Sequence, residues 1–94
     1  MRVKWLRVAL ENLDAEAEYI AGDSPAAAAR VVRAILNAIK QLERFPAIGR
    51  PGRVSGTREL VVAGTPYIVP YRVRSGQIEI LRVFHAARRW PASL

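Results

Sequence analysis

Residues 58–85 read RELVVAGTPYIVPYRVRSGQIEILRVFH, and the division of this stretch decides the fold. Apolar residues alternate with polar ones in three runs, 58–63, 67–74 and 77–85. A period of two is the mark of a strand with two different faces. The separators are Gly64-Thr65-Pro66 and Ser75-Gly76, short enough to be hairpin turns. Three strands joined by two hairpins make an antiparallel meander. Pro70 sits inside the middle run. Proline cannot donate to a ladder, so a bulge or an unpaired stretch is expected there. On the last run Ile78, Ile80, Arg82 and Phe84 should share one side, and Glu79, Leu81, Val83 and His85 the other.

Working outward, residues 46–57 (PAIGRPGRVSGT) hold two prolines and three glycines and read as a loop. Before it the period changes. Ala28, Val32, Ile35, Ile39, Leu42 and Phe45 step by three and four, which is one face of a helix. Asp23-Ser24-Pro25 opens that helix with an N-cap side chain and a proline near the first helical position. Phe45-Pro46 should close it, because the residue before proline is pushed out of the α region. Its opposite face carries Arg30, Arg33, Asn37, Lys40 and Arg44, a row suited to an anion or to plain solvent. An earlier helix is expected from Leu6, with Leu6, Leu10, Leu13, Ala17 and Ile20 on its apolar face and Gly22 as its end. Residues 1–5 (MRVKW) alternate and read as a short strand joined to the same sheet.

The resulting order, βααβββ, is an α+β fold in one domain spanning residues 1–94, a helical hairpin on one face of a small antiparallel sheet. The other face keeps apolar residues and no layer of its own, so it is a candidate for a protein partner.

The chain has 94 residues and a formal charge of +7, and the charge is unevenly placed. Residues 1–49 carry seven basic and six acidic side chains, residues 50–94 eight basic and two acidic. All eight in the second half are arginines: Arg50, Arg53, Arg58, Arg72, Arg74, Arg82, Arg88 and Arg89. The planar guanidinium holds phosphate or carboxylate with two bonds, so this half looks built to meet an anion. There are no cysteines and one histidine, which argues against thiol chemistry, disulfides and the usual metal centres. No cofactor is expected. Neither a long apolar run nor a signal-like N-terminus is present, so a cytoplasmic protein without a membrane partner is expected.

Nucleophilic hydrolysis would need Ser or Thr beside His85, and Ser55, Thr57, Thr65 and Ser75 all fall in loops or turns. Endoribonucleolytic cleavage asks for a base, a cation and an acid, which His85, Glu59, Tyr71 and the arginines could supply. Arginines interleaved with Tyr67, Tyr71 and Trp90 also suit nucleic acid, by phosphate pairing and stacking. Equally, they suit a sheet core with Trp90 anchoring the tail.

Taken together, the blocks resemble a known family. Trp5, the ALENL opening of the first helix, Tyr19-Ile20-Ala21, Ser24-Pro25 with Ala27 and Ala28, FPAIGRPGR (45–53), GTRELVV (56–62) and PYIVPYRV (66–73) run in the order and spacing of ParE-type toxins of the RelE/ParE superfamily. The resemblance implies a type II toxin neutralised by a cognate antitoxin, whose C-terminal segment wraps along helices and sheet in a hetero-oligomer. It also implies one of two targets. ParE-like members inhibit DNA gyrase and stall replication, arresting growth, whereas RelE-like members cleave mRNA on the ribosome. For the nuclease pattern this chain keeps Arg58 and places His85 near a catalytic histidine, with Arg88 or Arg89 as a C-terminal arginine. It has Leu60 and Ile68 where further cations belong. Inhibition of gyrase is therefore the expected activity, and mRNA cleavage the alternative. Arg58, Arg72, Arg82, Arg88, Arg89 and Trp90 are the expected partner or anion contacts, with Arg50 and Arg53 as loop contacts and His85 and Arg58 as catalytic candidates for the nuclease case.

Overall fold

Ser24 sits in extended backbone, and its hydroxyl accepts the N–H of Ala27 at 3.1 Å, with Pro25 in the first turn. That cap starts α2 (Pro25–Gln41) where the sequence places it. In the computed structural model, which describes residues 1–88, 90 and 94, the other elements are β1 (Arg2–Trp5), α1 (Arg7–Ala21), β2 (Arg50–Pro51), β3 (Arg58–Val61), β4 (Tyr67–Arg74), β5 (Gln77–Ile80) and β6 (Phe84–His85). Two helices lie on one face of a mixed sheet ordered β1-β5-β4-β3-β2, with β6 added to β4. The meander is antiparallel as expected, and β1 joins its far side parallel to β5.

The β4–β5 turn uses Ser75 and Gly76, both with positive φ (52° and 72°). This is the geometry of a two-residue hairpin that matches strand twist. Ala9, Leu13, Ile35, Ile39, Leu42, Leu60, Val69, Tyr71, Ile78 and Ile80 make the core between helices and sheet. Each fully buried aliphatic there stabilises the fold by about 1.5–3 kcal/mol.

Four details differ from the sequence reading. Leu10 is 46% exposed, and the inward face of α1 is Ala9 and Leu13, with Ile20 packed beside them. Polar residues share this side of α1: Asn12 accepts the N–H of Val83 at 3.2 Å, and Glu16 accepts the hydroxyl of Tyr67 at 2.9 Å. Gly22 ends α1 in right-handed backbone (φ −57°), not the left-handed cap expected of glycine. The second helix stops at Gln41 in a series of tight turns, and Phe45 is exposed. The loop 46–57 contains β2, which pairs Arg50 with Glu59 and Pro51 with Arg58.

The strand expected over 77–85 breaks at Leu81–Val83, opposite Pro70. Val62 donates to Tyr67 across the β3–β4 ladder, so alternation turns the nitrogens of Val69 and Tyr71 toward β3 and that of Pro70 toward β5 and β6. Lacking its N–H, Pro70 still accepts from Leu81 N at 2.9 Å, but the reciprocal bond cannot form. Register then slips by one residue: Tyr71 faces Ile80, while Ile68 faces Phe84. The bulge expected at Pro70 thus appears on its partner strand, and it reverses which residues face inward. Val83 joins Ile78 and Ile80 in the core, contrary to simple alternation. His85 pairs with Tyr67 on the helix side, leaving Phe84 on the outer face.

Candidate functional site

The arginines expected to meet a partner are largely engaged within the chain. Arg58 lies on the helix side of β3 and donates to the carbonyls of Gly49 (2.8 Å) and Ala47 (3.3 Å), tying down the loop before β2. The same loop is held by Tyr71, whose hydroxyl accepts from Gly49 N at 2.9 Å and donates to Pro46 O at 2.7 Å. Burial pushes the Tyr71 phenol up from its ordinary pKa, so it stays protonated. Arg72 reaches across to Glu79 at 2.6 Å, and that hydrogen bond is the main cause holding the Glu79 carboxyl below its usual range. Arg82 donates to Leu81 O at 2.7 Å. Arg88 pairs with Glu16 of α1. Arg89 lies outside the described residues.

Two clusters result. On the outer face, Glu59 is 3% exposed and accepts four bonds: from Arg50 Nε and Nη2 (3.2 and 3.0 Å), Arg53 N (2.9 Å) and Arg53 Nε (3.2 Å). Burial alone would raise its pKa, but the Arg53 amide and the two guanidinium groups together lower it. A carboxylate on a sheet face is affordable only with such donors. The Arg53 guanidinium also lies 3.6 Å from the centre of the Trp90 ring, a cation–π contact, and Trp90 packs on Phe84 at 4.7 Å. Trp90 is therefore held on the outer face, between Phe84 and Arg53.

On the helix side, His85 stands edge-on to Tyr67, with ring centres 5.5 Å apart. Its Nδ1 accepts from Ala87 N at 3.2 Å, which makes it the local cap of the turn into the tail. Burial, then the bond and charge of Glu16, push the Tyr67 phenol up to about 12. Tyr67 is thus a poor proton acceptor near neutral pH. Arg88 is also 5.8 Å from the Tyr19 ring, so the first arginine after His85 is already held by α1.

A different surface is less committed. β2 covers β3 only at Arg58 and Glu59, so the outward N–H and C=O of Val61 lie on an open strand edge. Beside it runs a groove of about 500 Å³ between α2 and β3. Ala34 and Ala38 form its α2 wall, Leu60, Val61 and Val62 its sheet side, and Ile48, Asn37, Gln41 and Arg50 its rim. Val61 and Ile48 are about half exposed. An apolar trough beside an open edge is shaped for an extended or helical segment of another chain. Sequence reading pointed to an open sheet face; the small residues of α2 that shape the trough, Ala34 and Ala38, carried no signal there.

The model of the ParE toxin of the parDE type II toxin–antitoxin system matches residues 3–90. The chain belongs to this family. A relative in Sinorhizobium fredii, named "Putative toxin Y4kP", is 52% identical over 99% of this chain and 96% of its own. "Toxin RelE2" of Caulobacter vibrioides is 39% identical over 93% of this chain and 97% of its own. Among solved structures, the chromosomal ParDE system of P. aeruginosa superposes with a TM-score of 0.81 at 34% identity, covering 90% of this chain and 95% of that one. The RelBE2 toxin–antitoxin complex of Mycobacterium tuberculosis follows at 0.60 and 29%, covering 89% and 95%. The ParE-family chain is thus a type II toxin of the RelE/ParE superfamily, with two helices on an open mixed sheet.

Proposed function

We propose that this ParE-family chain inhibits DNA gyrase and is held inactive by a cognate antitoxin, with a segment of that antitoxin lying in the α2–β3 groove. The observation that carries the target is the closer likeness to the ParDE system, TM-score 0.81 against 0.60 for RelBE2. The site geometry agrees with it. A ribonuclease needs a base and cations turned toward substrate, whereas Arg58 is engaged by carbonyls of the loop before β2 and His85 by the turn after it. In a supercoiling reaction, stoichiometric protein should block gyrase, and pre-mixing with the antitoxin should restore it. Full supercoiling at several-fold excess of the protein would sink the proposal.

The second reading is a ribosome-dependent mRNA endonuclease, favoured by the 39% identity to Toxin RelE2. Mapping of mRNA 3′ ends in a translation extract separates the two. New ends that vanish in His85→Ala would establish this reading in place of gyrase.

A further inference from the structure

The acids and bases of the helical hairpin are segregated. Glu11, Asp14, Glu16 and Glu18 lie on α1 with Arg7 at its start, whereas α2 carries only the cations Arg30, Arg33 and Lys40, with Glu43 and Arg44 in the turns that follow. Arg30, Arg33, Asn37, Lys40 and Arg44 are all exposed, opposite the buried Ala28, Ile35 and Ile39. Steps of three, four, three and four residues keep the row on one side of the helix. Arg30 to Lys40 covers about 15 Å of helix axis, and Arg44 extends it by about one turn. Among the described residues every ion pair lies elsewhere, at Arg50, Arg53, Arg72 and Arg88. Beyond Lys40, Arg2 and Glu43 line a second open groove with it, of about 560 Å³.

We propose that the outer face of α2 binds the sugar–phosphate backbone of duplex DNA, through Arg30, Arg33, Lys40 and Arg44. The row contains no apolar side chain to anchor a protein segment; apolar residues line the grooves on either side of it instead. Exposed Ala26 and Ala29 add little bulk beside Arg30 and Arg33, so a broad duplex can approach closely. Three of the four cations are arginines, whose fork suits phosphate. Each strand of a duplex carries one phosphate per about 3.4 Å of its axis, a density high enough for each of the four cations to face one. Such binding is independent of base sequence and sensitive to salt. It goes beyond the gyrase reading without resting on it, since it requires no gyrase.

The test titrates the full chain against a fluorescein-labelled duplex of about 20 bp and arbitrary sequence, by anisotropy, between about 50 and 200 mM salt. Four phosphate contacts predict a slope of log K on log salt of about −3.6. Arg33→Gln with Lys40→Gln should flatten the slope by about 1.8 and weaken binding about tenfold or more at the lowest salt. Arg74→Gln, an exposed change on β4, should leave both unchanged. Melting curves confirm that each variant is folded. Equal losses in both variants would show unlocalised charge and overturn the proposal, as would no binding of the parent protein at low salt. Loss of binding to an acidic polypeptide with the DNA slope intact would assign the row to a protein partner and overturn it too. Failure to inhibit gyrase would bear only on the proposed activity.

Discussion

Replacing Glu59 with glutamine tests whether the outer-face network holds the 50–59 hairpin. The native carboxylate accepts four bonds at 2.9–3.2 Å, all from Arg50 and Arg53. Glutamine keeps the shape and one acceptor oxygen but turns an NH₂ toward donors. At least two charge-assisted bonds are lost, each worth about 1.5–3 kcal/mol. The two arginines are 51% and 47% exposed, so water recovers part of that loss, and about 2–3 kcal/mol remains. For a domain of this size, that lowers Tm by about 10–20 °C. The pH dependence follows from the depressed pKa of Glu59. Its contribution is complete above the unfolded value near 4.5 and is lost as pH falls through the lower folded value. The gap between wild type and Glu59→Gln should therefore be constant from pH 7 to about 5 and close in acid. Glu79 titrates in the same direction but is common to both proteins and cancels in the difference. Thermal melts by circular dichroism across this range read the gap directly. A variant within about 0.5 kcal/mol of wild type at pH 7, or a gap that persists unchanged in strong acid, would refute the reasoning.

Three further changes probe the same framework. Gly49→Ala places a Cβ 2.6 Å from Tyr71 Cε1 and 2.7 Å from its hydroxyl oxygen; since Tyr71 is fully buried, the clash should cost about 2–3 kcal/mol by urea denaturation. Tyr71→Phe keeps the packing but strands the Gly49 N–H and Pro46 carbonyl, for a loss of about 1–3 kcal/mol in the same assay. Ser24→Ala removes the α2 cap and should cost about 1 kcal/mol, a Tm drop of about 4–8 °C that Ser24→Asp largely avoids.

Elements with a strong period were legible in the sequence: the meander, the helical hairpin and the Ser24–Pro25 start of α2. Errors arose where a polar residue is used inward or where pairing depends on distant chain. Asn12 and Glu16 mark the inner face of α1 by accepting bonds from Val83 and Tyr67, so a search for leucines alone turns that helix to expose the wrong side. Strand β2 has two residues, one a proline, and exists because β3 offers an edge. The missing donor of Pro70 announced a bulge, but the resulting slip, which sends Val83 inward, needed the partner register. Glu59 read as a possible acid or base of a nuclease site. Its role as acceptor for Arg50 and Arg53 depends on a loop returning beside it.

The cations consequently form two populations with different mutational behaviour. Arg50, Arg53, Arg58, Arg72 and Arg88 have acceptors within the chain, whereas those of α2 do not among the described residues. An external anion competes with an internal partner for the guanidinium charge at the first set, losing part of what it gains. Truncating these arginines also removes bonds from the fold: Arg58→Ala frees two loop carbonyls, and Arg53→Ala removes one of the four bonds to Glu59 and the cation–π contact with Trp90. A growth-rescue screen would score such variants as hits through stability alone, since a loss of 1–2 kcal/mol can change abundance several-fold. Substitutions on α2 carry no such cost, surface changes of this kind usually falling within about 0.5 kcal/mol. A loss of toxicity there at an unchanged melting temperature therefore reports a contact with another molecule.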